Sequence, residues 1–262
     1  METIVMGKSV TIDYLPESAK RYPSGYAVVA VDVIRATSVA ITAVELGRRC
    51  FPVATLDGAS QMMELLASSN PMQIGELGGH MPYGFNLNNS PVALTRRTDI
   101  ERPVILLSSS GSRLMSDAAQ CEAGYAACFR NFAPTARHLA THHEHVALLG
   151  AGSRGEFREE DQICCAWMAE ILVASGFEPE NRDTELLIKR WSGASPQAAR
   201  QSKSADFLVR TSQVEDLEFI LTHINDVPAA FKIEGGELIR IPVNVKENGQ
   251  PQTVHTSQKT KP

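Results

Sequence analysis

Residues Tyr26 to Val33, YAVVAVDV, are an almost unbroken run of β-branched and small apolar side chains that takes in a single carboxylate near its end. That is the pattern of a strand buried on both faces of a parallel sheet. In open α/β sheets the ligand site forms from loops at the carboxyl ends of the strands. Asp32 therefore stands where chemistry is done.

The same kind of run recurs along the chain. Cys50 to Ala54, Met72 to Ile74, Pro103 to Leu107, Gly124 to Phe129 and Val146 to Leu149 read as strands. Thr37 to Leu46, Gly58 to Ala67, a stretch from near Arg113 and Thr135 to Thr141 have helical spacing. Strand–helix alternation through Gly150 predicts an α/β fold with a mostly parallel sheet covered by helices. After Gly155 the chain turns helix-rich, with helices expected over Glu159 to Ala174, Thr184 to Trp191, Pro196 to Lys203 and Val214 to Thr222. Val227 to Ile233 and Glu237 to Ile241 predict a terminal β-hairpin across Glu234-Gly235-Gly236. The expected organisation is an α/β sheet lobe over residues 1–150, a helix-rich lobe over 151–245 packed on it, and a disordered polar tail over 246–262.

With 43% apolar and 21% charged residues, burial is not limiting for a chain of 262 residues. A net charge of -5 argues against a nucleic-acid partner, which needs clustered lysine and arginine to displace counterions. Cys50, Cys121, Cys128, Cys164 and Cys165 form no C-x-x-C pair, which fits a reducing compartment. The start of the chain lacks the features of a secretory signal, and no run approaches the ~20 apolar residues of a membrane span. A cytoplasmic location without a membrane partner is the expectation, and a homo-oligomer stays open.

Four strand-end loops carry the candidate chemistry: VDVIRATS (31–38), GELGGHMPYGFNLNNSP (75–91), SSSGSR (108–113) and GAGSRGEFREED (150–161). The first joins Asp32, a hard oxygen ligand, to Arg35, an anion clamp, at a helix start, which suits a metal-bound phosphate. A purely local pairing of Asp32 with Arg35, with Thr37 as helix cap, accounts for the same residues equally well. In the second loop Glu76 is the candidate ligand, while Asn86, Asn88 and Asn89 read as turn residues tolerating the left-handed region. Ser110 and Gly111 in the third loop are candidate substrate contacts.

Gly150, Gly152 and Gly155 spell G-x-G-x-x-G, yet no second buried strand ending in a ribose-binding acid follows, so the dinucleotide reading fails its context. A backbone nest for an anion, formed by Gly152 and Gly155 with Arg154, uses the same glycines better. Glu159, Glu160 and Asp161 open the next helix, where acids commonly complement the dipole, so one or two at most are expected as ligands. His138 and His142 lie one helical turn apart beside His143 and His145, but no acid or cysteine completes a zinc set.

Together, the segments VDVIRATSVAITAVELG (31–47), IGELGGHMPYGFNLNNSP (74–91), SSSGSR (108–113) and GAGSRGEFREEDQICCAW (150–167) resemble the 2-phosphosulfolactate phosphatase family, associated with coenzyme M biosynthesis. The stretch VEDLEFILTHINDVPAAFKIEGGELIRI (214–241) resembles that family's carboxyl-terminal segment. The resemblance implies an α/β fold, a Mg2+ ion, and hydrolysis of 2-phosphosulfolactate, a small anionic phosphate ester, to sulfolactate and phosphate. It places Asp32, Arg35, Glu76, Glu160 and Asp161 at the family's acidic and basic site positions. Leu77 replaces an arginine of the family pattern, Ser109-Ser110-Gly111-Ser112 its T-N-G-T, Asn86 an aspartate and Gly150 a cysteine. Losing one arginine–anion interaction costs about 1.5–3 kcal/mol, so these departures bear on substrate choice more than on fold.

The expected mechanism has Asp32, Glu76, Glu160 and Asp161 holding magnesium while Arg35 and the glycine-loop amides neutralise the ester. Asp32, Arg35 and Glu76 are the catalytic candidates. Water attacks phosphorus, or a carboxylate does so, with Asp32 the first choice. The alternative is a non-catalytic binding protein for a phosphorylated metabolite or nucleotide.

Overall fold

The computed structural model describes residues 7–152 and 155–243. Ten strands alternate with nine α-helices among them. Chain order begins β1 (Ser9–Tyr14), β2 (Ala27–Val31), α1 (Ala36–Glu45), β3 (Cys50–Val53), α2 (Leu56–Leu65), β4 (Met72–Gly75), α3 (Pro91–Thr95), β5 (Val104–Leu107) and α4 (Gly111–Ala118). It continues through β6 (Ala123–Ala127), α5 (Phe132–His142), β7 (His145–Gly150), α6 (Glu159–Ala174) and β8 (Glu178–Pro179). The remaining elements are α7 (Arg182–Trp191), α8 (Lys203–Arg210), α9 (Val214–Thr222), β9 (Ala229–Glu234) and β10 (Glu237–Pro242).

Two sheets form. The larger runs β10-β9-β6-β2-β7-β1-β8, and the smaller β3-β5-β4. All pairings are parallel except those of β9 with β6 and β10, which make the expected terminal hairpin an antiparallel extension of the main sheet. Every residue of β2 is buried, because the strand lies between β6 and β7 with helices over both faces. Strands β8, β9 and β10 complete the sheet begun by β1 and β2, so residue 150 marks no boundary between sheets. Helix α4 bridges the two, packing on β3 of one and on β2 and β6 of the other.

Two expectations are met residue for residue: α6 and α9 run over the segments predicted for them. Pro196 to Lys203 differs. A short 3-10 turn covers Pro196–Gln201, Ser202 caps a new helix by accepting from the amide of Ala205, and α8 begins at Lys203. Strand β1 carries no run of apolar residues, since its sequence SVTIDY alternates toward a partly exposed edge region. The expected tail over 246–262 and Arg154 lie outside the described residues.

Among the described residues no helix is long and apolar enough to cross a membrane. All five cysteines are free thiols.

Candidate active site

Register explains why the four loops meet. Val31 of β2 stands opposite Gly150 of β7, and the amide of Ala151 donates to the Val31 carbonyl at 2.8 Å. Asp32 and Ala151 therefore leave the main sheet side by side. In the small sheet Gly75 of β4 stands opposite Leu107 of β5, and the amide of Glu76 donates to the Leu107 carbonyl at 3.0 Å. Glu76 and Ser108 leave that sheet together. Parallel pairing thus sends all four loops out at strand carboxyl ends, where an α/β sheet holds ligands.

They enclose a cavity of about 480 Å³, within the usual range for small-molecule sites. Asp32, Arg35, Glu76, Ser110, Gly152, Glu160 and Asp161 all line it. Gly155 lines a smaller hollow beside it, which shares Ser109, Ser110, Ala151 and Gly152 with the main cavity. Gly111 sits behind the wall: a Cβ there would fall 2.0 Å from Asp32 Oδ2 and 2.6 Å from the Ala36 methyl. Only glycine lets α4 start this close to the acid.

The local pairing of Asp32 with Arg35 does not form. Arg35 Nη1 instead donates to Asp216 Oδ2 at 2.6 Å, and both side chains are about 95% buried. Asp32 Oδ1 accepts a long bond of 3.3 Å from the Ala36 amide. Thr37 is not a side-chain cap; its hydroxyl donates to the Asp32 carbonyl at 2.7 Å and accepts from the Asp32 amide. These bonds fix the backbone of residue 32 and leave its carboxylate to the cavity.

Glu76 ties two loops together. Its Oε2 accepts from the Gly79 amide at 2.7 Å and the Ser109 hydroxyl at 3.0 Å, and its Oε1 accepts from the Ser109 amide at 2.8 Å. The asparagines nearby work through their side chains rather than through left-handed backbone. Asn86 Oδ1 accepts from the Gln73 amide and Asn88 Oδ1 from the Asn89 amide, and none of Asn86, Asn88 or Asn89 has positive φ.

In the first turn of α6, Glu160 and Asp161 are both buried while Glu159 is only half-buried, so two of the three acids face inward. Asp161 Oδ1 accepts from the Val33 amide at 2.8 Å, which locks α6 to the end of β2. Glu160 Oε2 is buried and lacks a hydrogen-bond partner among the described residues.

Electrostatics confirms the crowding. Burial, reinforced by Glu76 and Glu160, raises the Asp32 carboxyl to about 7 against the partial relief of the Ala36 amide and Arg35. Burial also raises Glu160, although the Ser204 and Ser202 hydroxyls pull the other way. Asp161 stands well above its ordinary value through burial and then through Glu160 and Asp32. Burial pulls the Arg35 guanidinium down, opposed by Asp216. The same cavity is lined by Arg35, Arg158, Lys203 and Arg210, so side chains of both signs face it.

Helix α8 supplies a wall that sequence reasoning missed. Lys203, Ser204, Asp206, Phe207 and Arg210 all line the cavity. Phe207 reaches across to the Glu76 loop, where a Cβ on Gly79 would come within 2.8 Å of its ring. An amphipathic pattern over 203–210 was the only sequence signal, and it does not say what the helix faces.

The histidines make ordinary contacts. His138 and His142 stack at 4.1 Å, His142 Nδ1 meets the His138 carbonyl, His143 Nε2 meets the Tyr125 hydroxyl at 2.9 Å, and His145 Nδ1 meets Ser9 at 2.7 Å. Among the described residues, no three His, Cys, Asp or Glu side chains are drawn close enough to enclose a metal by themselves.

Comparison with known proteins gives this architecture a family. The sequence profile described as 2-phosphosulpholactate phosphatase matches residues 13–230. A protein of Deinococcus radiodurans named "Probable 2-phosphosulfolactate phosphatase" is 30% identical over 213 residues, covering 79% of this chain and 86% of its own. Proteins of the same name from Symbiobacterium thermophilum and Pseudothermotoga lettingae are 29% and 34% identical, covering 75% and 59% of this chain. The match spans 86% of the former and 65% of the latter. These names indicate phosphatases, that is, phosphoric monoester hydrolases. On a profile match reaching from residue 13 to residue 230, the chain belongs to the 2-phosphosulfolactate phosphatase family.

Proposed function

We propose that the chain hydrolyses a small acidic phosphate ester, 2-phosphosulfolactate or a close relative, to the hydroxy acid and phosphate with the help of Mg2+. The observation that carries this reading is the meeting of Asp32, Glu76, Glu160 and Asp161 with Arg35 in one cavity, where a buried Glu160 oxygen has no hydrogen-bond partner among the described residues. Family membership supplies the reaction class.

The acids fit a magnesium ion. Mg2+ keeps several waters and takes one or two carboxylates rather than an all-protein cage, so a loosely gathered set suffices. Asp32 and Glu160 would hold it, with Asp161 and Glu76 bracing the loops behind them. When bound, the ion supplies Lewis-acid charge stabilisation for phosphoryl oxygens.

The remaining work belongs to the chain. Arg35, oriented by Asp216, and the Ser109 and Ser110 segment line the cavity where equatorial oxygens need donors. Attack on phosphorus requires a proton to leave water and another to reach the departing alkoxide. Burial raises Asp32 to about 7 in the metal-free protein, so binding the ion near neutrality would release its proton.

Phosphate release from 2-phosphosulfolactate and a panel of small phosphocarboxylates, with and without chelator, tests the reading. Turnover that stops on chelation supports it. Stoichiometric binding without release overturns it in favour of a non-catalytic binding protein.

A further inference from the structure

Helix α8 presents one cavity-facing edge. Lys203, Phe207 and Arg210 follow the i, i+4, i+7 spacing that aligns side chains on a helix face, and all three line the cavity. The start of the helix lies beside the acidic floor, since Lys203 and Ser204 line the same cavity as Glu160 and Asp161. Its middle is tied to the opposite wall through Phe207 and Gly79. Lys203 and Arg210 thereby line the cavity with side chains that stay largely open to solvent.

Their present partners are easily exchanged. Lys203 Nζ pairs with Glu156 at 2.6 Å, and Arg210 Nη2 with Asp206 at 2.6 Å. The side chains of Lys203 and Arg210 remain 68% and 69% exposed, and exposed ion pairs contribute little. Arg35 differs, since it is buried and committed to a buried aspartate. The cavity therefore has an inner acidic half suited to a cation and phosphate, and an outer half whose cations can change partners.

We propose that Lys203 and Arg210 are specificity-determining residues that bind a second anionic group, a carboxylate or sulfonate, on the carbon skeleton of the phosphate ester. This rests on the phosphatase reading above and adds to it the part of the protein that selects among esters. On binding, the substrate anion displaces Glu156 and Asp206 from the two cations, and the phosphate end lies against the floor.

Two esters isolate the effect. 2-Phosphoglycerate and glycerol 2-phosphate carry the phosphate on the same kind of secondary carbon and differ by a carboxylate against a hydroxymethyl group. Wild type should favour 2-phosphoglycerate in kcat/KM, and Lys203→Gln or Arg210→Gln should each shrink that preference about tenfold, chiefly through KM. Lys203→Arg should restore most of it. Equal losses on both esters, or an unchanged preference, would overturn the assignment. If wild type turned over neither ester, calorimetric binding of the same two compounds to wild type and Lys203→Gln would decide the inference alone, with a carboxylate preference lost in the variant supporting it and equal affinities refuting it, while the phosphatase reading would stand or fall on 2-phosphosulfolactate itself.

Discussion

Arg35 and Asp216 lie 181 positions apart in sequence yet form a buried ion pair, with Nη1 and Oδ2 2.6 Å apart. The other oxygen of Asp216 accepts from the Ser90 hydroxyl at 2.7 Å and the Val92 amide at 3.1 Å. One carboxylate in the first turn of α9 thus orients the cavity arginine and anchors the start of α3. Asp216→Ala should cost about 3–5 kcal/mol, since removing one partner leaves a buried charge uncompensated. Denaturant unfolding reads the loss; a change within ~1 kcal/mol would show that the pair contributes only what a surface bridge does.

The contact between Gly111 and Asp32 predicts a different outcome. Gly111→Ala places a methyl against Asp32 Oδ2. The acid can rotate away, but the Ala36 methyl 2.6 Å from the new Cβ cannot, so α4 must also shift: stability should fall by about 1–3 kcal/mol while kcat falls about 100-fold, the scale of an ångström of misplacement. Parallel measurement of kcat and melting temperature checks this. A large loss of stability with normal specific activity would place the strain in the helix instead.

Titration of the acidic floor couples stability to pH. In the metal-free protein the folded Asp32 carboxyl, at about 7, lies above its unfolded value near 3.8, and Glu160 and Asp161 shift in the same direction. These acids therefore hold extra protons in the folded state between those values, and their contribution to stability should decline as pH rises from about 4 to about 7, opposed over the same window by His138 and His143, which burial pulls down. Asp32→Asn removes that share of the slope. Unfolding curves of wild type and Asp32→Asn across this range, recorded with chelator, provide the check; a stability difference between them that does not change with pH would contradict the raised Asp32 value.

Glu160→Gln should act in two directions. Replacing a buried carboxylate with a neutral amide removes a desolvation cost, so the metal-free variant should be more stable than wild type at pH 8 by about 1–3 kcal/mol. Its response to Mg2+ should vanish. Thermal melts with and without the ion test both halves, and an undiminished magnesium response would free Glu160 from the site.

Much of this was legible because chemistry at strand ends follows a local rule. Asp32 closes a buried run and Glu76 follows the end of β4, so apolar pattern located both, whereas Glu160 and Asp161 were set apart from Glu159 only by the family resemblance. Strand β1 escaped notice because SVTIDY alternates and lacks the continuous apolar signature of its neighbours. Asp216 could not be matched to Arg35 because a buried ion pair between distant segments leaves no local pattern. Lys203, Phe207 and Arg210 resemble the residues of any surface helix until the fold shows that α8 covers the cavity. The asparagines of the long loop looked like left-handed turn residues, but glycines at 78, 79 and 84 supply the positive φ, leaving Asn86 and Asn88 to bond through their amides.

Calorimetric titration of Mg2+ into the chelator-stripped protein at neutral pH, with and without inorganic phosphate, addresses the acidic cavity most directly. One site whose affinity rises with phosphate and which Glu160→Gln removes is the predicted result. No saturable heat in wild type, or identical binding by the variant, would contradict the claim that these buried acids hold a cation beside a phosphate.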